Sequence, residues 1–533
     1  MTRILGVSGL VLLLAGLSRA ANDAVPIRVD VDRQIGRCYD FWSTGNATSQ
    51  HQYADPTYGP KARRRRPFVR YVNCVRLLGG RSDKRNAYFK GVGADGKVQA
   101  DFTGLIRNLR GIVKAGLTPR LVLDNVPTGM SDVKQMHKYG NTLPPRDFKV
   151  WREFIRQAVE ALGKEFGRDT VSKWRFRAGT EPDLYPGHWA GTKAQYLKHY
   201  DYTVDAVTAV IPEADIGPGN ILNPARQIIR RKTGRTQWGL DIIDHAAKGT
   251  NHVTGKRGTR MRHFSISYYG RVGQAVTSFD VAIRKTRERL DRYPQFRSIP
   301  VEVAEFAVLQ DEKGRRLFGG DITEWAASWY AAIADRVYAL NVARVHEWAQ
   351  TTWGVWHPRT QVIGMLDMMR DGKRLAVAAP RVPRARCGAI ACRKDDGVYV
   401  LVYHHYPARE PQIERPVKLT VADARMKAGA KWTRSGWTVD RDHGVWAYRF
   451  YADCAAAGLK PLPKAPLFGG NVRLRFGEKV SDVLTANIKA YRKLAQLHQD
   501  TNNQSVVVGA GSVTLELTLR GHAVKLIRLA PPK

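Results

Sequence analysis

From residue 21 to about 375, short apolar runs alternate with longer stretches in which apolar residues recur every three or four positions. The runs at 71–78, 119–123, 173–178, 214–217, 263–268, 300–304 and 342–348 read as buried strands. The stretches at 102–115, 146–166, 193–210, 276–292 and 322–340 carry amphipathic helical spacing. In the first of these, Leu105, Leu109, Ile112 and Val113 recur at that spacing, and Gly116 supplies a stop. Strand-then-helix repetition predicts a parallel sheet, here an α/β fold of the (β/α)8 TIM-barrel type.

After about residue 378 this rhythm stops. Short, turn-linked runs at 397–404, 417–421, 446–450, 506–508, 514–519 and 524–529 predict a C-terminal antiparallel β-sandwich, with one polar helix near 481–499. No repeat or low-complexity linker divides the chain, so the two parts should share a firm interface. The expected organisation is a signal peptide over 1–20, a catalytic barrel over 21–377 and an accessory sandwich over 378–533. Arg3, the apolar run from Leu5 to Leu17, and Ser18-Arg19-Ala20 carry the signal-peptide reading. A membrane anchor or a core helix is the alternative, but the run is shorter than the ~20 residues of a membrane span. The expected location is secreted or periplasmic.

Composition narrows the class. At 533 residues and 43% hydrophobic, the chain has ample core-forming material and more length than one core usually holds. The net charge of +38 is the unusual number. Basic clusters lie at 61–66, 226–235, 256–262 and 373–386. Such a field gathers polyanions. Nucleic acid, an acidic or sulfated polysaccharide and an anionic cell surface all qualify, and a solvated basic surface without a partner is the plainer alternative. The charge is spread along the chain and no nucleic-acid motif accompanies it, which disfavours nucleic acid. The cysteines, Cys38, Cys74, Cys387, Cys392 and Cys454, are odd in number and form no C-x-x-C pair, so buried thiols are expected and metal ligation is not.

Two apolar runs end in carboxylates. Trp174-Arg-Phe-Arg-Ala-Gly-Thr-Glu-Pro182 delivers Glu181 before a proline, which biases its backbone away from helix. Val301-Glu-Val-Ala-Glu-Phe306 delivers Glu305, expected as the last residue of its strand. Simple alternation puts Val301, Val303 and Glu305 on one face, with Glu302 and Ala304 on the other. Glu302 is the rival to Glu305, since a buried mid-strand glutamate is unusual, but is expected instead to pair with an arginine-rich helix layer. Two strand-end carboxylates at one mouth of a barrel are what glycosidic cleavage needs.

With these motifs the chain resembles glycoside hydrolase family 39, the β-xylosidases and α-L-iduronidases. The likeness runs in order from Phe41-Trp-Ser-Thr-Gly45 through Asp101-Phe-Thr-Gly-Leu-Ile106, Ala115-Gly-Leu-Thr-Pro119, Trp151-Arg-Glu-Phe154 and the Glu181 block. It continues through His188-Trp-Ala-Gly-Thr192, Tyr196, Tyr200 and Ile216-Gly-Pro-Gly-Asn220 to Val439-Asp-Arg-Asp-His443 and the segment after Gly521. The resemblance implies Glu181 as general acid/base and Glu305 as nucleophile of a retaining hydrolase, with carboxyls ~5–5.5 Å apart and neither cofactor nor metal. Tyr269, with Tyr268 as alternate, stands where the family has a tyrosine bonded to the nucleophile. Trp348 is a candidate sugar platform, and Glu347 beside it a third acid for substrate. Arg76 is a candidate for holding the nucleophile region or an acidic group on the sugar, and Asn125 and His188 are loop candidates. The chain departs from the pattern at Thr180, where the family has Asn, and at Leu78, where it has His. A shorter Thr180 leaves room for a substituted, for example sulfated, hydroxyl. The expected function is a secreted retaining glycosidase for an acidic or sulfated polysaccharide or its oligosaccharides. A neutral β-xylosidase and a catalytically silent carbohydrate-binding protein are the alternatives.

Overall fold

The computed structural model describes residues 24–45, 68–78, 88–225, 237–348, 350–380, 386–410 and 412–532. The expected signal peptide and the basic clusters at 61–66 and 226–235 lie outside them. Among the described residues, eight strands form one parallel sheet. In chain order they are Trp42–Gly45, Tyr71–Cys74, Thr118–Val122, Arg175–Thr180, Asp215–Asn220, Phe264–Arg271, Val301–Gln310 and Arg344–Glu347. Each neighbours the next in space except the fifth and sixth. Ile221 closes that gap: its N–H donates to Ser265 O at 3.0 Å, and its carbonyl accepts from Ser267 N at 2.8 Å. The result is the barrel that the alternation predicts.

The helices follow from their sequences. Thr103–Lys114 buries Leu105, Leu109 and Ile112. It stops at Gly116, which takes φ 71°, a conformation costly for other residues. Lys193–Val210 begins with a capping box in which Thr192 and Gln195 satisfy each other's backbone N–H groups. The helix Pro358–Met369, not predicted, completes the eighth strand–helix unit.

The seventh strand departs from the predicted pleat. Its partner register runs Val303 to Ile266 and then Glu305 to Ser267, so one extra residue is absorbed near Ala304 as a bulge. The strand continues to Gln310, so Glu305 lies inside it and not at its end. The bulge also turns Glu302 and Glu305 to the same side. Glu302 pairs with Arg120 at 3.0 Å and with Arg175, both from barrel strands, and lies near His346. The expected pairing with a helix layer is therefore replaced by an ion cluster inside the barrel. Its arginines hold the Glu302 carboxyl well below the usual range against the opposing effect of burial.

The remaining strands form a nine-stranded sheet. It is mixed rather than antiparallel, because Val25–Arg37 runs parallel to Arg415–Ala422. Val25–Arg37 also pairs with Lys373–Ala378, so chain before the barrel and chain just after it both join this sheet. The span 21–377 thus supplies two of its strands as well as the barrel. The run at 446–450 is not a strand but the start of the helix Ala447–Ala456, whose Phe450 and Cys454 bury one face. The helix Glu324–Ala339 is buried on nearly every side. It lies between barrel and sheet: its Phe306-stacked Trp329 faces the barrel, while Ser328 bonds His405 of the sheet at 2.9 Å. A helix apolar all round needs such two-sided cover. All five cysteines are buried and free.

Candidate active site

Glu181 follows the fourth barrel strand directly. Its N–H donates to Asn220 O at 2.8 Å, which ties it to the end of the fifth strand. Its φ of 38° lies in the left-handed region that non-glycine residues rarely adopt, costing ~1 kcal/mol or more. The side chain is 5% exposed. Ser267, which accepts from Asn220 Nδ2 at 2.7 Å, hydrogen-bonds the carboxyl. Burial raises the Glu181 carboxyl well above its ordinary range, and the Glu305 and Asp183 carboxylates add to the rise. A proton held at neutral pH is what a general acid needs.

Glu305 is equally buried, at 6% exposed, but has different neighbours. Tyr269 Oη donates to Glu305 Oε2 at 2.5 Å. Burial pushes the Glu305 carboxyl up, while Tyr269, Arg177 and Arg76 pull it back. Two close carboxyls cannot both ionise easily. Both carboxyls are raised, Glu181 further, because Glu305 has Tyr269, Arg177 and Arg76 to favour its charged form while Glu181 faces Glu305 and Asp183.

The other candidates separate by the pleat. Tyr269 points into the barrel mouth. Tyr268, one residue earlier, is 1% exposed, bonds Ser278 at 2.7 Å and packs on Phe279, so it belongs to the helix layer. Glu347 likewise faces outward. It is 1% exposed and ion-paired with Arg359, and Tyr330 lies near it. It is a buried structural acid and not a substrate ligand. Trp348, half-buried, sits beside the Tyr269 hydroxyl. Asn125 is committed to backbone: its Nδ2 donates to Tyr139 O at 3.1 Å and Asn141 O at 3.0 Å, holding down the loop after the third strand. His188 Nε2 lies 3.7 Å from Glu181 Oε2. Burial, with Arg76 and His137 nearby, lowers its pKa to about 3, so the ring is neutral.

Asp124, which the sequence reading passed over, proves central. Thr180 Oγ1 donates to Asp124 Oδ2 at 2.7 Å, and Arg76 N donates to Asp124 Oδ1 at 2.7 Å. The Thr180 hydroxyl is thus committed to Asp124. Arg177 was also missed. It is 4% exposed on the fourth strand, and its nearest charges are Glu305 and Asp124. An arginine placed two residues after Arg175 was a legible sign that it too points inward.

Sugar chemistry is the use this arrangement fits: two buried carboxyls with unlike surroundings at the C-terminal mouth of a barrel. Comparison with known proteins agrees. Residues 25–346 match the model for "Glycosyl hydrolases family 39". The chain is 22% identical over 265 residues to an α-1,4-L-rhamnosidase from Formosa agariphila, covering 47% of this chain and 51% of the relative. It is 28% identical over 145 residues to a β-xylosidase from Caldicellulosiruptor saccharolyticus, covering 27% and 29%. The match to mouse (Mus musculus) α-L-iduronidase is 23% over 193 residues, covering 36% and 28%. The chain thus spans about half the length, or less, of these relatives. A solved monomeric β-xylosidase from Caulobacter crescentus shares the fold with a TM-score of 0.71 at 18% identity, covering 96% of this chain and 100% of that one. With a family match running from the first sheet strand through the barrel to His346, and with the two acids lying inside it, this chain belongs to glycosyl hydrolases family 39.

Proposed function

We propose that the protein is a retaining glycoside hydrolase that acts on an acidic or sulfated polysaccharide or its oligosaccharides. The observation that carries the reaction class is the Tyr269–Glu305 hydrogen bond beside a Glu181 that faces other carboxylates. In this reading Glu305 attacks the anomeric carbon as Glu181 gives its proton to the departing oxygen. A water then attacks the same carbon, returns a proton to Glu181 and frees Glu305. Each inversion occurs once, so the product keeps the starting configuration. Proton NMR of the first-formed product tests this, and the opposite anomer overturns it. Glu181→Gln and Glu305→Gln should each lower kcat by at least ~100-fold. Mutants as active as wild type overturn the site, and a wild type without turnover favours the silent binding protein.

The anionic substrate rests on the net charge of +38 and on Arg76 beside the reacting centre. The relatives' names give three different sugars, so the family leaves the substrate to the residues. A neutral β-xyloside is the second reading, favoured by the crowding of Asp124 and Asp183 around the two glutamates, which repels a negative sugar at the cleavage point. A panel of uronic-acid, sulfated and neutral polysaccharides decides. Anionic chains should be cleaved faster, with rates that fall as salt shortens the Debye length from ~10 Å at 0.1 M to ~3 Å at 1 M. Preference for neutral xylosides, unaffected by salt, overturns the anionic reading. The same proposal includes export after loss of residues 1–20, checked by the mass of the secreted chain, and a sandwich arrangement of the nine-stranded sheet.

A further inference from the structure

The loop held by Asn125 carries His137, Lys138 and Tyr139 to the side of the cavity where Glu181 stands. The Tyr139 ring stacks on His188 at 4.6 Å between centroids and 11° between planes, and His188 in turn lies 3.7 Å from the Glu181 carboxylate. The same ring gathers two cations. Lys138 Nζ is 4.9 Å and Arg76 Cζ 5.5 Å from its centroid. Both side chains keep some access to solvent. Among the described residues, neither forms an ion pair with a carboxylate. The platform is firm: Asn125 holds the Tyr139 carbonyl, and His137 Nδ1 accepts from Tyr139 N at 3.2 Å.

Two cations drawn to one aromatic ring repel each other, and an anion that reaches both lowers that repulsion. The position of the pair along the substrate follows from Glu181. A general acid stands against the departing oxygen, so the chain Glu181–His188–Tyr139 leads along the leaving group and away from the sugar that Glu305 attacks. We propose that Arg76 and Lys138, gathered on Tyr139, form an anion-binding subsite that takes the carboxylate or sulfate of the sugar on the leaving-group side. This rests on the glycosidase reading and deepens it. It also reconciles a basic protein with a carboxylate-crowded cleavage point: the sugar being cleaved is neutral there, and the charge is read one residue further on.

The test places charge in the leaving group alone. For the sugar that wild type cleaves best, kcat/KM is measured on the 4-nitrophenyl glycoside and on its 3-carboxy-4-nitrophenyl counterpart. The carboxylated substrate should be preferred by about tenfold, mainly through KM, with the preference shrinking in high salt. Lys138→Glu should abolish or reverse that ratio. Lys134→Glu makes the same charge change on an exposed residue of the same loop, away from Tyr139, and should keep it. A wild type without the preference, a Lys138→Glu protein that retains it, or an equal loss in Lys134→Glu overturns the subsite. Hydrolysis of the neutral substrate meanwhile leaves the glycosidase reading standing. If neither aryl substrate is cleaved, calorimetric binding of sodium glucuronate and of sodium sulfate replaces the ratio. Binding lost in Lys138→Glu supports the subsite and tells which anion it takes; no binding to wild type overturns it.

Discussion

Glu181 and Glu305 are the same side chain at nearly the same depth, but in unlike surroundings: Glu181 faces carboxylates, and Glu305 a tyrosine hydroxyl and two arginines. The hydrogen bond from Tyr269 favours the ionised form of Glu305. Removing it in Tyr269→Phe therefore raises the Glu305 pKa, so less of it is ionised at low pH. The acidic limb of the kcat/KM profile should move to higher pH, with a loss of roughly 10- to 100-fold at the optimum for one hydrogen bond to a charged group. An unmoved limb would mean that Tyr269 has no hold on the nucleophile. In Glu181→Gln, aryl glycosides with acidic leaving groups should lose far less kcat/KM than those with poor ones, because only poor leaving groups need the proton in the first step. Steady-state rates across a leaving-group series check this. Glu181 was legible because it directly follows an apolar run, whereas Glu305 was picked as a strand end although its strand runs on to Gln310. Asp124 was not legible, since a lone acid after a short strand carries no period and shows its role only once Thr180 and Arg76 close on it.

At the scale of elements, the bulge in Val301–Gln310 decides which carboxylates meet. Alternation alone separates Glu302 from Glu305; one extra residue brings both inside, one beside arginines and one beside Tyr269. Bulges leave no mark in the hydrophobic pattern, so only strand pairing shows them. The fifth strand shows how tightly these elements are set. A Cβ on Gly217 would lie 2.5 Å from the His263 carbonyl oxygen, a backbone atom that cannot swing aside. Gly217→Ala should destabilise the protein by about 1–3 kcal/mol through overpacking. Urea unfolding measures it, and wild-type stability would show that the two segments can part. The strand misread at 446–450 has a related cause. Its aromatic residues suit either element, and the packing of Phe450 and Cys454 beneath one helical face settles the matter.

For the whole molecule, the contact between barrel and sheet is one acid-sensitive place. Ser328 of the buried helix meets His405 at 2.9 Å and His522 at 3.3 Å. Burial lowers the His522 pKa to about 3 and holds His405 neutral as well. The unfolded histidines take up protons below about 6.5, whereas the folded ones do not. This stabilisation is therefore fully present at neutral pH and is lost as pH falls from about 6.5 toward 3. From pH 7 to 5 each such histidine should cost about 2 kcal/mol. His522→Gln should melt lower at pH 7 but show a smaller drop on going to pH 5. An unchanged drop would move the acid sensitivity elsewhere.

The hydrophobic pattern by itself determined the barrel and most of its strands and helices, because buried strands and amphipathic helices need particular periods. It drew attention to Glu181 directly after one such run and to Glu305 within another, and composition set the basic charge. The tertiary structure decided the rest: that Val25–Arg37 leaves the barrel for the mixed sheet, that Tyr269 and not Tyr268 reaches Glu305, that Glu347 is spent on Arg359, and that Arg76, Lys138 and Tyr139 meet beside Glu181. These depend on pairing register and on side chains from distant segments converging, and neither leaves a period along the chain.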